Sequence, residues 1–145
     1  MLNREEIASS LFIDGFNCAQ SVLSAFKDKT NISEENLLKI SCGLGAGMGR
    51  LQQTCGAVTG AYLVIGLLNG NCKSQDKSLK ENTYRIVKEF DKNFKKIYHT
   101  TICKGLLKCN LNTEEGKSYF KNNNLSKEVC LNCVKSSVQI LNDLI

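Results

Sequence analysis

Apolar residues recur at helical spacing along this whole chain, with no alternating strand pattern between them, and that confines it to an all-α fold. The longest run, from about Gln75 to Tyr98, sets Leu79, Tyr84, Val87, Phe90, Phe94 and Ile97 near one stripe. Asn17 precedes the segment Cys18–Phe26, where Val22, Leu23 and Phe26 share a face, and its side chain suits an N-cap. Ser33-Glu34-Glu35-Asn36 opens a further helix carrying Leu37, Leu38 and Ile40. Thr54 is placed to cap an apolar segment, Cys55 to Leu68, which closes at Asn69-Gly70. Thr113-Glu114-Glu115 opens a short helix, and Ser126 opens the last, with Val134, Val138 and Leu141 on one face. No fixed-period repeat or linker divides residues 1–145. The expected architecture is therefore a single-domain helical bundle of about five to seven helices with a glycine-rich loop.

Two segments depart from ordinary bundle sequence. In Gly43-Leu44-Gly45-Ala46-Gly47-Met48-Gly49-Arg50 glycine alternates, a pattern costly as helix and weak as strand. The backbone there is expected to take positive φ or to approach a neighbour closely. Such a stretch either gathers N–H groups into an anion-binding nest or tightly connects packed helices. No strand precedes it and no Gly-Lys-Ser/Thr follows, so it is neither a Rossmann nor a P-loop motif. Arg50 either adds a fixed positive charge beside it or caps a helix end. In the second segment, Gly56 and Gly60 with Ala57 and Ala61 build a face of small residues. Each interior glycine costs about 1 kcal/mol relative to alanine, so a close contact with a helix or a cofactor is implied.

Eight cysteines and a single histidine set the chemistry. One histidine excludes any mechanism or metal site that needs two from the same chain. Met1 to Ala8 lacks the basic start and apolar run of a secretory signal, and the apolar stretch Ala57–Leu68 is too short for a membrane span. The expected location is the cytoplasm, where abundant cysteines serve more often as metal ligands or redox groups than as structural disulfides. A net charge of +5 comes almost wholly from scattered lysines, without the compact basic motifs and stacking aromatics of a nucleic-acid groove. No nucleic-acid partner is expected.

Cys18, Cys55, Cys103 and Cys130 each fall in or near the first turn of an expected helix, where unpaired N–H groups and the helix dipole favour thiolate. Thiols so placed suit ligation of a metal ion, ligation of a cluster, or thiol–disulfide chemistry. Cys130-Leu131-Asn132-Cys133 is a CxxC, and Cys103 with Cys109 would complete a four-thiolate zinc set, although their spacing is loose for zinc. No βαβ pattern surrounds the CxxC, as thioredoxin-type chemistry needs, and Val134 rather than histidine follows it, which excludes haem attachment. Cys130, Cys133 and Val134 share one face of the last helix, so Cys133 reads as core. His99 lies four residues before Cys103, within reach of one helical turn, yet beside lysines it reads more simply as surface.

The motifs Gly15-Phe16-Asn17-Cys18-Ala19-Gln20, Gly45-Ala46-Gly47-Met48-Gly49-Arg50 and Cys55-Gly56-Ala57-Val58-Thr59-Gly60 resemble those of the C_GCAxxG_C_C family of redox-active proteins. Cys103 to Cys109, Thr113 to Gly116 and Cys130 to Val134 continue the resemblance, which covers about residues 10 to 140. It implies that the defining cysteines are Cys18, Cys55, Cys103 and Cys130, converging beside the glycine segment as catalytic or metal-binding thiols. Cys109 matches a common but not defining position, and Cys42, Cys72 and Cys133 are additions. His99 and Lys108 stand where such sequences usually have glycine. Gly45, Gly47, Gly49 and Gly56 would then serve a cofactor, an iron–sulfur cluster or zinc. The resemblance implies redox activity but little about the reaction: it is compatible with an oxidoreductase, names no substrate, and leaves open which electron-transfer or transporter-associated partner is served. A homo-oligomer is compatible with it. The contrasting reading is a non-catalytic helical module with a structural zinc site or a partner-binding face.

Overall fold

A computed structural model describes residues 3–145 and is helical, with 74% of residues in helix and no strand among those described. Asn3 caps α1 (Arg4–Asp14) through a reciprocal box with Glu6, and Gly15 closes it. Asn17 caps α2 (Cys18–Ser24) in the same reciprocal way with Gln20. Ser33 accepts from the N–H of Asn36 to begin α3 (Glu34–Ser41), whose first turn carries Glu34 and Glu35 against the positive helix end. The remaining helices are α4 (Gly56–Asn69), α5 (Lys77–Tyr98), α6 (Cys103–Leu107), α7 (Glu114–Asn122) and α8 (Leu131–Leu144). Among the described residues eight helices thus exceed the five to seven expected, because α1 is an element that the apolar spacing does not announce.

Helix α2 lies at the centre and packs on α1, α3, α4 and α8. Gly60 makes the closest of these contacts: a Cβ there would stand 2.8 Å from the Ala19 carbonyl oxygen, so only glycine lets α4 lie this near α2. Phe26, Leu23, Leu37, Ile65, Val58, Val134, Val138 and Leu141 fill the core. The buried stripe of α5 is Ile86, Phe90 and Phe94, spaced by fours; Leu79, Tyr84 and Ile97 of the expected stripe are exposed. A 3.6-residue repeat drifts over a helix this long, so its ends turn outward while its middle packs. Tyr62, Phe90, Phe94 and Tyr98 follow one another with ring centroids 5.8, 6.1 and 4.8 Å apart. Tyr98 then reaches Ser136 Oγ at 2.7 Å, which links α4, α5 and α8. Among the described residues no helix is long and apolar enough to cross a membrane.

Between α3 and α4 the backbone turns left-handed. Ala46, Gly47, Met48, Gly49 and Arg50 have φ of 53, 67, 70, 61 and 65° in succession. Side chains other than glycine disfavour this by roughly 1–2 kcal/mol per residue, so the surroundings must hold it. Gly47 is obligatory on space alone, since a Cβ would lie 2.6 Å from the Gln52 Cα. Asn112 Nδ2 donates to the Arg50 carbonyl at 2.8 Å, and the N–H of Gln53 donates to the Gly47 carbonyl at 3.0 Å.

Candidate redox thiol site

Sulfur reaches one cavity from separate elements. Asn17 N–H donates to Gln20 Oε1 at 3.0 Å while Gln20 N–H donates to Asn17 Oδ1 at 2.9 Å, which sets Cys18 as the first residue of α2. Cys55 is itself the N-cap of α4, in place of the expected Thr54, and Cys103 is the first residue of α6. Thr54 instead forms a β-like bridge with Ile102. Through it Cys55 N–H donates to the Thr101 carbonyl and Cys103 N–H to the Gln53 carbonyl, each at 2.7 Å. These two backbone bonds hold Cys55 and Cys103 side by side. Cys130 departs from the expected helix start: it ends a π turn, Ser126–Cys130, that runs straight into α8 and leaves no free first turn there. Cys133 follows three positions later on the same face.

Cys18, Cys55, Cys103, Cys130 and Cys133 line one cavity of about 160 Å³, walled by apolar side chains including Phe12, Leu107 and Val129. No histidine, carboxylate or cationic side chain is among the residues that line it. All eight cysteines of the chain are free thiols. Cys42 and Cys72 are exposed and away from the cavity, and Cys109 is half-buried beyond its wall. His99 is exposed at the left-handed cap of α5 and does not line it, so the single imidazole stands apart from the sulfurs. Gly47 and Gly56 line the cavity; Gly45 packs against the Asn17 side chain and Gly49 N–H is engaged by the Gly45 carbonyl at 2.9 Å.

The sulfurs are unequal. Cys55 is held well below the usual thiol range because Cys133 and then Cys18 hydrogen-bond to it, with the N–H groups of Ala57 and Val58 adding to the effect. Cys18 is pushed well up by its hydrogen bonds to Cys130 and Cys55 and by burial. Cys133 is pushed up by its bond to Cys55 and by burial. Burial, then the charge at Cys55, pushes Cys103 up to about 12. A set of neighbouring thiols that shares one negative charge behaves in this way: the sulfur best supplied with donors ionises first and makes its neighbours harder to ionise. Among the described residues, no three thiol, imidazole or carboxylate groups already stand around a common point as metal ligands would.

The family of the putative redox-active protein (C_GCAxxG_C_C) matches residues 16–144, a span that contains every sulfur of the cavity. The chain belongs to this family. Comparison with curated proteins and with solved structures found no match. In this C_GCAxxG_C_C chain His99 and Lys108 both adopt left-handed backbone, with φ of 69 and 58°, as the caps of α5 and α6. Left-handed backbone at a helix end is the conformation that glycine adopts with least strain, so these two positions are set by conformation and lie outside the thiol cavity. Two site residues escaped sequence reasoning. Cys133 was read as core, although its i+3 spacing from Cys130 already placed it on the same face. Gln52 had no signal: it is buried, its Nε2 donates to the Cys109 carbonyl at 2.9 Å, its Oε1 accepts from Leu111 N–H at 2.8 Å, and it partly offsets the rise that burial gives Cys103.

Proposed function

We propose that this protein is a thiol–disulfide oxidoreductase whose reacting sulfur is Cys55. The supporting observation is that Cys55, the N-cap of α4, shares one cavity with the thiols of Cys18 and Cys133, and hydrogen bonding from these and from the N–H groups of Ala57 and Val58 favours its thiolate. Nucleophile and resolving group are then already adjacent. Cys55 thiolate attacks one sulfur of an incoming disulfide, forming a mixed disulfide and releasing one thiolate. Cys18 or Cys133 gives its proton to that leaving thiolate and attacks Cys55 sulfur, which expels the second thiolate; a proton from water completes it. The sum is one external disulfide and two protein thiols going to two external thiols and one protein disulfide. In the cytoplasm, where we place the protein, an electron-transfer partner would return the pair to the dithiol.

A second reading rests on the donor set, since five sulfurs in a largely apolar cavity lined by no histidine or carboxylate suit a soft metal ion or an iron–sulfur cluster. Cys18, Cys55, Cys103 and Cys130 would hold the group, with Cys133 rather than Cys109 as the further candidate, since it lines the same cavity. A bound cluster supplies one-electron transfer, and bound zinc a structural cross-link.

Anaerobic purification followed by metal and sulfide analysis and differential alkylation separates the two. The first reading expects a metal-free protein in which a low-molecular-weight disulfide reversibly removes two thiols, Cys55 among them. Cys55→Ser should abolish that reaction, while Cys42→Ser and Cys72→Ser should leave it intact. Stoichiometric iron with acid-labile sulfide, or stoichiometric zinc with inert thiols, would replace it with the second.

A further inference from the structure

We infer that the disulfide acted on is a small anion, a low-molecular-weight disulfide bearing carboxylates, guided to Cys55 by a cationic cleft outside the thiol cavity. This rests on the thiol–disulfide reading above. Ala46, Arg50, Leu111, Asn112, Lys117 and Phe120 line the cleft. Ala46, Leu111 and Phe120 also line the thiol cavity, so the two spaces meet across these three side chains. Arg50 and Lys117 are the only ionisable residues lining the cleft, and both are cationic.

Arg50 is held at its backbone. Its left-handed φ of 65° and the 2.8 Å bond from Asn112 to its carbonyl fix the point from which the side chain extends. Among the described residues it takes part in no ion pair. Lys117 lies 3.6 Å from Glu114 Oε1, but that carboxylate is 93% exposed and therefore strongly screened. The other groove beside the cavity, which shares Leu106 and Val129 with it, carries Glu5 and Glu128 as well as Lys108 and Lys135 and so has no preferred sign. The thiol cavity, of about 160 Å³, is small beside such a molecule, so the charged end would lie outside it, on the side that borders the cleft.

The test uses reduced full-length protein under anaerobic conditions at low ionic strength, with dithiodiglycolate, 2-hydroxyethyl disulfide and cystamine as anionic, neutral and cationic reagents. Thiol oxidation is followed for the native protein and the Arg50→Gln/Lys117→Gln double variant. The ratio of the two rates for each reagent cancels intrinsic reactivity. The expected result is a loss of about tenfold for the anion, none for the neutral reagent, and a gain for the cation, with the anion's advantage fading as salt is added. Glu114→Gln should preserve or increase the anion's rate. Equal ratios for all three reagents would overturn the inference while leaving the thiol chemistry standing. Failure of every reagent to oxidise the native protein would overturn both. Both substituted side chains are exposed, and an unchanged urea midpoint for the double variant ties any loss to charge rather than to folding.

Discussion

Cys55 draws its character less from the Ala57 and Val58 N–H groups beside it than from neighbours far away in the chain. Cys133 is the foremost of these, and Cys133→Ala should raise the pH at which Cys55 becomes reactive, read as the midpoint of its iodoacetamide alkylation rate against pH. An unchanged midpoint would mean that the N–H groups of α4 suffice. Cys103 makes the opposite prediction. Its folded-state value of about 12 lies above the ordinary 9.0, so between those limits the unfolded chain has lost a proton that the folded chain keeps. Its contribution is fully present below about 9 and is lost as pH rises towards about 12, so urea midpoints should fall across that window. Cys103→Ala should flatten the fall. Helix-start signals made Cys18, Cys55 and Cys103 legible as special thiols. They could not rank them, because rank depends on which sulfurs touch.

Among the elements, the contact of α2 with α4 is the most exacting. Gly60→Ala forces a Cβ to 2.8 Å from the Ala19 carbonyl oxygen and should destabilise by about 1–3 kcal/mol. Gly66→Ala, on the same helix, meets nothing within 4 Å and should stabilise by up to about 1 kcal/mol. Thermal unfolding of the two variants checks the pair, and a shift in the same direction would refute the packing argument. The small-residue face was legible in the sequence, as were the caps Asn17, Ser33 and Thr113, because capping and glycine spacing act locally. Helix α1 was missed: Ala8 is its only fully buried residue, so it offers little apolar periodicity. The role of Thr54 was misread because its bridge partner, Ile102, is distant in sequence.

For the whole molecule, the proposed disulfide would link Cys55 to either Cys18 or Cys133, and both links close long loops. Oxidised protein should therefore resist urea more than reduced protein, by about 2–4 kcal/mol, with the gain absent in Cys55→Ser. Equal midpoints would indicate that the bond forms only with compensating strain. The helical class was legible throughout; the convergence of sulfurs was legible only as a resemblance, since no spacing rule joins α2, α4, α6 and α8. That dispersion has a bearing on synthesis. As the chain emerges, Cys18 and Cys55 appear long before Cys130 and Cys133, and the cavity has no far wall until α8 docks on α2 and α4. A ribosome-bound or aggregating intermediate would therefore display the early cysteines to any passing oxidant, and the yield of active protein should depend on how reducing the medium is during translation.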